Sequence, residues 1–193
     1  MNLSFLRSRA VTASGILLIS FLGTLHGADA WVSTKKWAST NTGYDRSSMS
    51  SSWQNAVGYG AAGWNFISGS SWYYWVGPAS PNKVVSGWID GANGTLATTA
   101  STVAGGNTIT GFTMTYDTGE SWYLGTGTPS STQIDSRSIT RHEFGHALGL
   151  SHSDSSCSTT SRPTMCSGYV KGTTYKRSLE ADDRNGLRSL YPS

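Results

Sequence analysis

Three histidines and a glutamate at fixed spacing, His142, Glu143, His146 and His152, are the residues of this chain best equipped to do chemistry. Imidazole is the commonest metal-binding side chain. The sequence holds four histidines, and the fourth, His26, sits apart in an N-terminal stretch. On an α-helix, positions 142 and 146 lie one turn apart on the same face, so both rings can point at one ion. Glu143 is rotated by about 100° from His142, which sets it beside the ion without making it a ligand. His152 cannot continue the same straight helix, because that would carry it about 15 Å along the axis from His142, against a Zn–N bond of about 2.0–2.1 Å. The chain must turn back, and Gly149 is where it can, since glycine reaches positive φ without a Cβ penalty and commonly ends helices. Three imidazoles leave one tetrahedral position open, as a catalytic zinc needs. A surface helix pair would explain His142 and His146 alone; the addition of Gly149 and His152 favours zinc.

The elements that must position these groups are partly legible. Ser136–Leu148 reads as the metal-site helix, capped by Asp135 or Ser136. Ser47–Asn65 reads as an earlier helix, with Trp53, Ala56, Val57, Gly60, Ala61 and Trp64 recurring at three- and four-residue steps. Its glycines at 58, 60 and 63 weaken it and are read as room for a strand to pack closely. Ser71–Gly77, Lys83–Asp90, Leu96–Val103 and Asn107–Tyr116 read as strands; in the last, Phe112, Met114 and Tyr116 alternate to one face. Trp72-Tyr73-Tyr74-Trp75 is read as a core or sheet patch rather than a sugar platform. Asp117-Thr118-Gly119-Glu120 is a turn. Leu179–Leu190 reads as a closing helix capped by Ser178, with Glu180, Asp182 and Asp183 favourable near its positive end.

Residues 1–30 read as a secretory signal peptide: Arg7 and Arg9 open it, Ala13–Leu25 is mostly apolar, and Ala28-Asp29-Ala30 fits the small-x-small cleavage pattern. The apolar run is short and interrupted for a membrane span of about 20 residues. Residues 31–193 then form one domain, secreted and extracellular, with no membrane association after cleavage. The chain is formally +3, only 13% of its residues are charged, and it has no basic run, which argues against a nucleic-acid partner. Cys157 and Cys166 flank a short loop, and secretion permits a disulfide between them. That bond would contribute about 2–3 kcal/mol in the chain-entropy model. Metal binding by both thiols is the weaker reading, because three histidines already make a catalytic set.

The 142–152 window resembles the metzincin metalloproteases, and its surroundings narrow the resemblance to the matrixin catalytic domain, in a minimal bacterial-type secreted form. Pro163-Thr164-Met165-Cys166-Ser167-Gly168-Tyr169 is similar to the Met-turn, with a tyrosine four residues after the methionine. Leu179-x-x-Asp182-Asp183-x-x-Gly186-Leu187-x-x-Leu190-Tyr191 is similar to the closing helix. Asp90-Gly91-Ala92-Asn93-Gly94-Thr95-Leu96-Ala97 resembles the loop into the substrate-binding edge strand, and Tyr116–Trp122 the acidic turn that follows.

The resemblance implies an α/β (α+β) fold: a twisted mixed five-stranded sheet with an N-terminal helix, an active-site helix and a C-terminal helix. It implies one catalytic zinc on His142, His146 and His152, Glu143 as general base, Met165 as an apolar floor, and substrate binding along Thr95, Leu96 and Ala97 with Tyr169 at the primed-side pocket. The activity implied is endopeptidase hydrolysis of extracellular protein by a monomer. A non-catalytic secreted zinc-binding module and a zinc-dependent cell-wall hydrolase are the rivals. The family's second zinc needs histidines where this chain has Thr98 or Thr99 and Thr115, so one zinc is expected. Asp90, Asp117 and Glu120 match calcium-binding positions; solvated turn carboxylates are the equal alternative. No cysteine lies between residue 30 and the first strand, so a thiol-to-zinc latency switch is not expected.

Overall fold

A computed structural model describes residues 34–158 and 162–193. The expected signal peptide, residues 1–30, lies outside the described residues. In chain order the strands are β1 (Lys36–Trp37), β2 (Asn41–Tyr44), β3 (Tyr73–Val76), β4 (Lys83–Gly87), β5 (Ala97–Ala104), β6 (Thr108–Asp117), β7 (Trp122–Tyr123) and β8 (Ile134–Asp135). The α-helices are α1 (Ser51–Ala62), α2 (Ser136–Leu148) and α3 (Ala181–Leu190).

The largest sheet is built on β6, which pairs in parallel with β1 and β4 and antiparallel with β5. β2 and β3 form a parallel pair, joined to that sheet by a parallel bridge between Asp45 and Lys83. The sheet is therefore mixed, as expected. Its strands run as five only when β1 and β2 are taken as two arms of one interrupted strand; by continuous pairing they separate into a four-stranded and a two-stranded sheet, with β7–β8 a further pair. Among the described residues β5 pairs only with β6, so its other edge offers free backbone groups.

Burial follows the alternation of side chains along each strand. Phe112, Met114 and Tyr116 of β6 are all buried on one face. In β3 and the residue before it, Trp72 and Tyr74 enter the core while Tyr73 and Trp75 stay partly exposed, so the aromatic run is a sheet patch. Phe144 of α2 meets Tyr44 and Tyr74 edge-on at centroid distances of 4.9 and 4.8 Å. The Tyr74 hydroxyl donates to the Phe144 carbonyl at 2.8 Å.

Helix α2 runs through the middle of this core, and both of its ends are fixed. The Asp135 carboxylate accepts from the Ser138 N–H at 2.9 Å and the Ser138 hydroxyl at 2.7 Å, satisfying N-terminal groups that the helix leaves unpaired. The same carboxylate pairs with Arg177. At the other end Gly149 adopts φ 105°, and the Leu150 N–H returns to the Gly145 carbonyl at 3.0 Å. A Cβ on Gly149 would also collide with the Lys35 carbonyl. Gly149→Ala is expected to destabilise the protein by at least about 2 kcal/mol, from left-handed strain plus the backbone clash. A lowered denaturant midpoint at unchanged m would register it.

Two local expectations are corrected. The tight glycine contact in α1 is with a helix, not a strand: a Cβ on Gly60 would lie 2.6 Å from the Thr140 Cβ and 2.8 Å from the Thr140 carbonyl carbon. That close approach presses α1 onto α2 and lets the Trp64 indole donate to the Arg141 carbonyl at 2.8 Å. The closing helix begins at Ala181 with Glu180 at its cap, not at Leu179 with Ser178. The Ser178 carbonyl is already occupied by the Thr164 hydroxyl at 3.0 Å, and Asp183 reaches back to the Glu180 N–H at 2.8 Å. Leu179, Leu187 and Leu190 are buried as expected.

Candidate metal centre and cleft

The turn at Gly149 folds the chain back so that His152 faces the two helical histidines. The three Nε2 atoms lie 3.1, 3.1 and 3.2 Å from one another. Tetrahedral ligation at Zn–N of about 2.0–2.1 Å sets ligand nitrogens about 3.3 Å apart, so one zinc fits between them. Among the described residues this is the only group of three or more potential ligand side chains gathered closely enough to hold a metal.

The protons agree with the spacing. His142 Nδ1 faces the Thr164 carbonyl at 2.7 Å and His146 Nδ1 faces the Leu150 carbonyl at 2.8 Å. A carbonyl only accepts, so both Nδ1 atoms carry the hydrogen. Burial, first among the causes, holds all three imidazoles below their usual pKa and therefore neutral. The Nε2 atoms of His142 and His146 then present lone pairs to each other at 3.1 Å, an arrangement that repels unless a cation lies between them. The carbonyl partners behind the rings fix tautomer and orientation, as the hydrogen-bond partners of metal-binding histidines do.

Glu143 is buried beside the triad. Burial pushes its carboxyl up to about 7, against the opposing pull of the Thr99 hydroxyl and the Lys176 ammonium. Its Oε2 accepts from the Thr99 Oγ1 at 2.7 Å, which ties the glutamate to the edge strand β5. Met165 is fully buried beneath α2, where its sulfur sits against Gly145 so closely that a Cβ there would collide with it. Thr95, Leu96, Ala97 and Tyr169 all line the cleft that holds His142, Glu143, His146 and His152. The Tyr169 hydroxyl accepts from the Asp135 N–H at 2.9 Å and donates to the Thr173 carbonyl at 2.6 Å, clamping the loop after Met165 to the start of α2.

Cys157 and Cys166 form a disulfide with Cα atoms 5.9 Å apart, which anchors the segment after His152 to the one after Met165. The three acidic residues matched to calcium positions are not gathered in the same way. The Asp117 carboxylate accepts the N–H groups of Asp90, Gly91 and Gly119, which hold it down at about 2. The Asp90 carboxylate accepts from the Thr95 N–H and hydroxyl. Glu120 is buried 3.5 Å from the Lys171 ammonium. These carboxylates tie the loop into β5 to the acidic turn, and together they do not make a three-carboxylate metal group.

Residues 81–192 match the Matrixin family model. The chain belongs to the matrixin family. Membership supports a metalloendopeptidase as the class of activity and zinc as its metal. Curated relatives agree: the chain is 39% identical over 103 residues to matrix metalloproteinase-25 of Mus musculus, covering 53% of this chain and 15% of that protein. It is 41% identical over 103 residues to matrix metalloproteinase-25 of Homo sapiens, covering 53% and 17%. Against the hatching enzyme of Paracentrotus lividus it is 38% identical over 78 residues, covering 40% and 12%. The chain thus spans less than a fifth of the length of these relatives. The matched stretch contains the three-histidine cluster, the turn around Met165 and β5 of this matrixin. Helix α1 and the β2–β3 pair lie before it and still pack into the same core.

Three residues of the site are not legible in the sequence. Thr99 stands out there only as a position without a zinc histidine. Lys176 is almost wholly buried behind the metal centre, its ammonium 3.4 Å from His142 Nδ1 and donating to the Cys166 carbonyl, with burial bringing it down to about 8. Asp183, expected as a helix-dipole charge, accepts from the Thr164 and Met165 N–H groups at 2.8 and 3.0 Å and so ties the Met-turn to α3. The pair of adjacent acids in the first turn of α3 is the available signal for the last.

Proposed function

We propose that this matrixin is a secreted endopeptidase that cleaves extended segments of extracellular protein. The observation that carries this reading is the meeting of the three Nε2 atoms and the buried Glu143 in one cleft with β5, a strand that pairs on one side only among the described residues. A substrate peptide would join that edge as a further strand through backbone hydrogen bonds, the recognition mode open to any exposed sheet edge.

His142, His146 and His152 would hold zinc, which would supply Lewis acidity to activate water and polarise the scissile carbonyl. Glu143 accepts the proton of the attacking water at its free carboxylate oxygen and passes it to the leaving amine. Its placement suits both steps, since it is buried beside the three histidines with one carboxylate oxygen held by the Thr99 hydroxyl. Thr95, Leu96 and Ala97 present the edge backbone, and Tyr169 stiffens the loop that walls the side pocket.

Two rivals are weaker. A zinc module without activity would be closed by a fourth protein ligand, and the disulfide removes the two thiols that could have served. A cell-wall hydrolase would use the same metal chemistry, but a free strand edge suits an extended peptide better than a cross-linked sugar mesh. Among the described residues no helix is long and apolar enough to cross a membrane. The purified protein should cleave members of a mixed peptide library, and a zinc chelator should abolish the cleavage. Intact peptides alongside cleaved cell-wall fragments would overturn the proposal.

A further inference from the structure

The glutamate of this site has a partner that the zinc-binding motif does not supply. Thr99 lies 44 positions earlier in sequence, on β5, and its hydroxyl reaches the Glu143 Oε2 at 2.7 Å. The same hydroxyl lies 3.3 Å from the Glu143 carbonyl. Thr99 and Thr98 alternate across the strand: Thr98 is exposed on one side, and Thr99 is half-buried on the side that faces α2. The register with β6 places Thr99 opposite Met114, which is fully buried, so the strand cannot slide to withdraw the hydroxyl without moving core side chains.

We propose that Thr99 is a positioning residue for peptide hydrolysis: its hydroxyl holds one carboxylate oxygen of Glu143 and leaves the other directed at the reacting water. This rests on the endopeptidase reading above.

The physical case has three steps. A glutamate side chain has several rotamers, and burial at the wall of a cleft does not by itself choose one of them. An O–H···O⁻ hydrogen bond is among the stronger contacts available to it, and here it lies in a buried, low-dielectric setting where it gains strength. A carboxylate fixed by one oxygen cannot turn that oxygen to the substrate, so the remaining oxygen keeps a constant bearing through proton uptake and release. Because Thr99 belongs to the strand that would receive the peptide, one rigid element sets both the substrate backbone and the bearing of the base. The adjacent threonine does not share this role, since Thr98 pairs in register with Thr115, away from the glutamate.

The test uses Thr99→Val, which keeps the branched shape and removes the hydroxyl, with Thr99→Ala as a second hydroxyl-free variant should valine disturb the strand. Thr99→Ser restores the donor. On a peptide that the wild type cleaves, Thr99→Val should lower kcat about ten- to a hundredfold, the scale of a misplacement of about 1 Å. KM should stay within about twofold, zinc should remain at wild-type stoichiometry, and Thr99→Ser should return kcat to within about threefold of wild type. Crystal structures of the metal-free variants should place the Glu143 carboxylate in a new or a second rotamer for Val and in its original position for Ser. Unchanged kcat in both hydroxyl-free variants, or a serine variant as slow as the valine one, would overturn the proposal. If the wild type cleaves no peptide, the endopeptidase reading fails by itself. The crystallographic comparison then still decides the positioning: an unmoved carboxylate in Thr99→Val refutes it.

Discussion

Glu143→Gln should leave a folded, zinc-loaded protein that no longer cleaves peptides. The substitution changes one oxygen to an amide nitrogen and keeps the shape of the side chain. The remaining oxygen can still accept from the Thr99 hydroxyl, which now meets Glu143 Oε2 at 2.7 Å. What disappears is the capacity to take a proton. General-base catalysis contributes roughly a hundred- to ten-thousandfold, and here the same group also serves the leaving amine. The expected loss in kcat is therefore at the upper end, about a thousandfold or more, with little change in KM. None of the metal ligands is altered, so one zinc per chain should remain by elemental analysis. The fold should not suffer either: Glu143 is buried and its carboxyl is pushed up to about 7 chiefly by desolvation, so a neutral amide removes an unfavourable buried charge. Cleavage of a test peptide within about tenfold of the wild-type rate would show that another group acts as base.

Much of this site can be read from sequence because its residues are local. His142 and His146 share a helix face by spacing alone, Gly149 announces the reversal, and Asp135 marks the start of the helix. The left-handed φ of 105° at Gly149 and the Asp135–Ser138 hydrogen bond are the physical forms of those two signals. Strand alternation likewise places Phe112, Met114 and Tyr116 in the core. What stays hidden depends on contacts between distant elements. Nothing in the sequence near Thr99 reveals that it will face Glu143, because that needs the register of β5 on β6 and the placement of α2 against both. Asp183 looks like an ordinary first-turn acid until the Met-turn is brought against it. The glycine at 60 does mark a point of close approach, but its partner is a helix where a strand is expected, since a missing side chain says nothing about what fills the space. The acidic loop hides its contacts in the same way: Asp90, Asp117 and Glu120 have residue types that suit calcium or a solvated turn, and only the fold shows that backbone N–H groups of their own turns bond to Asp90 and Asp117.

His152→Ala should separate metal binding from folding more cleanly than any other change at the centre. His142 and His146 sit on α2, and removing either would also disturb a buried helix with ring–carbonyl bonds to Thr164 and Leu150. His152 lies beyond the Gly149 turn and is the exposed member of the triad. Its loss should cost the metal-free protein little, within about 0.5 kcal/mol as for ordinary surface substitutions. Two imidazoles cannot hold zinc as three do. Removing even a hydrogen-bond partner of a ligand typically weakens metal affinity about ten- to a hundredfold, so deleting a direct ligand should exceed about a hundredfold. Thermal melts expose the difference. Zinc binds the native state and stabilises the wild type by an amount that grows with free metal over Kd, about 2.7 kcal/mol at a hundredfold excess. At the same zinc concentration the variant should lose most of that increment while melting like the wild type in chelator. Equal metal-dependent stabilisation in both proteins, together with unchanged affinity in a competition titration, would remove His152 from the ligand set. It would also leave the turn at Gly149 without a functional role, because what the reversal at that point accomplishes is to bring a third ring nitrogen within 3.1 and 3.2 Å of the other two.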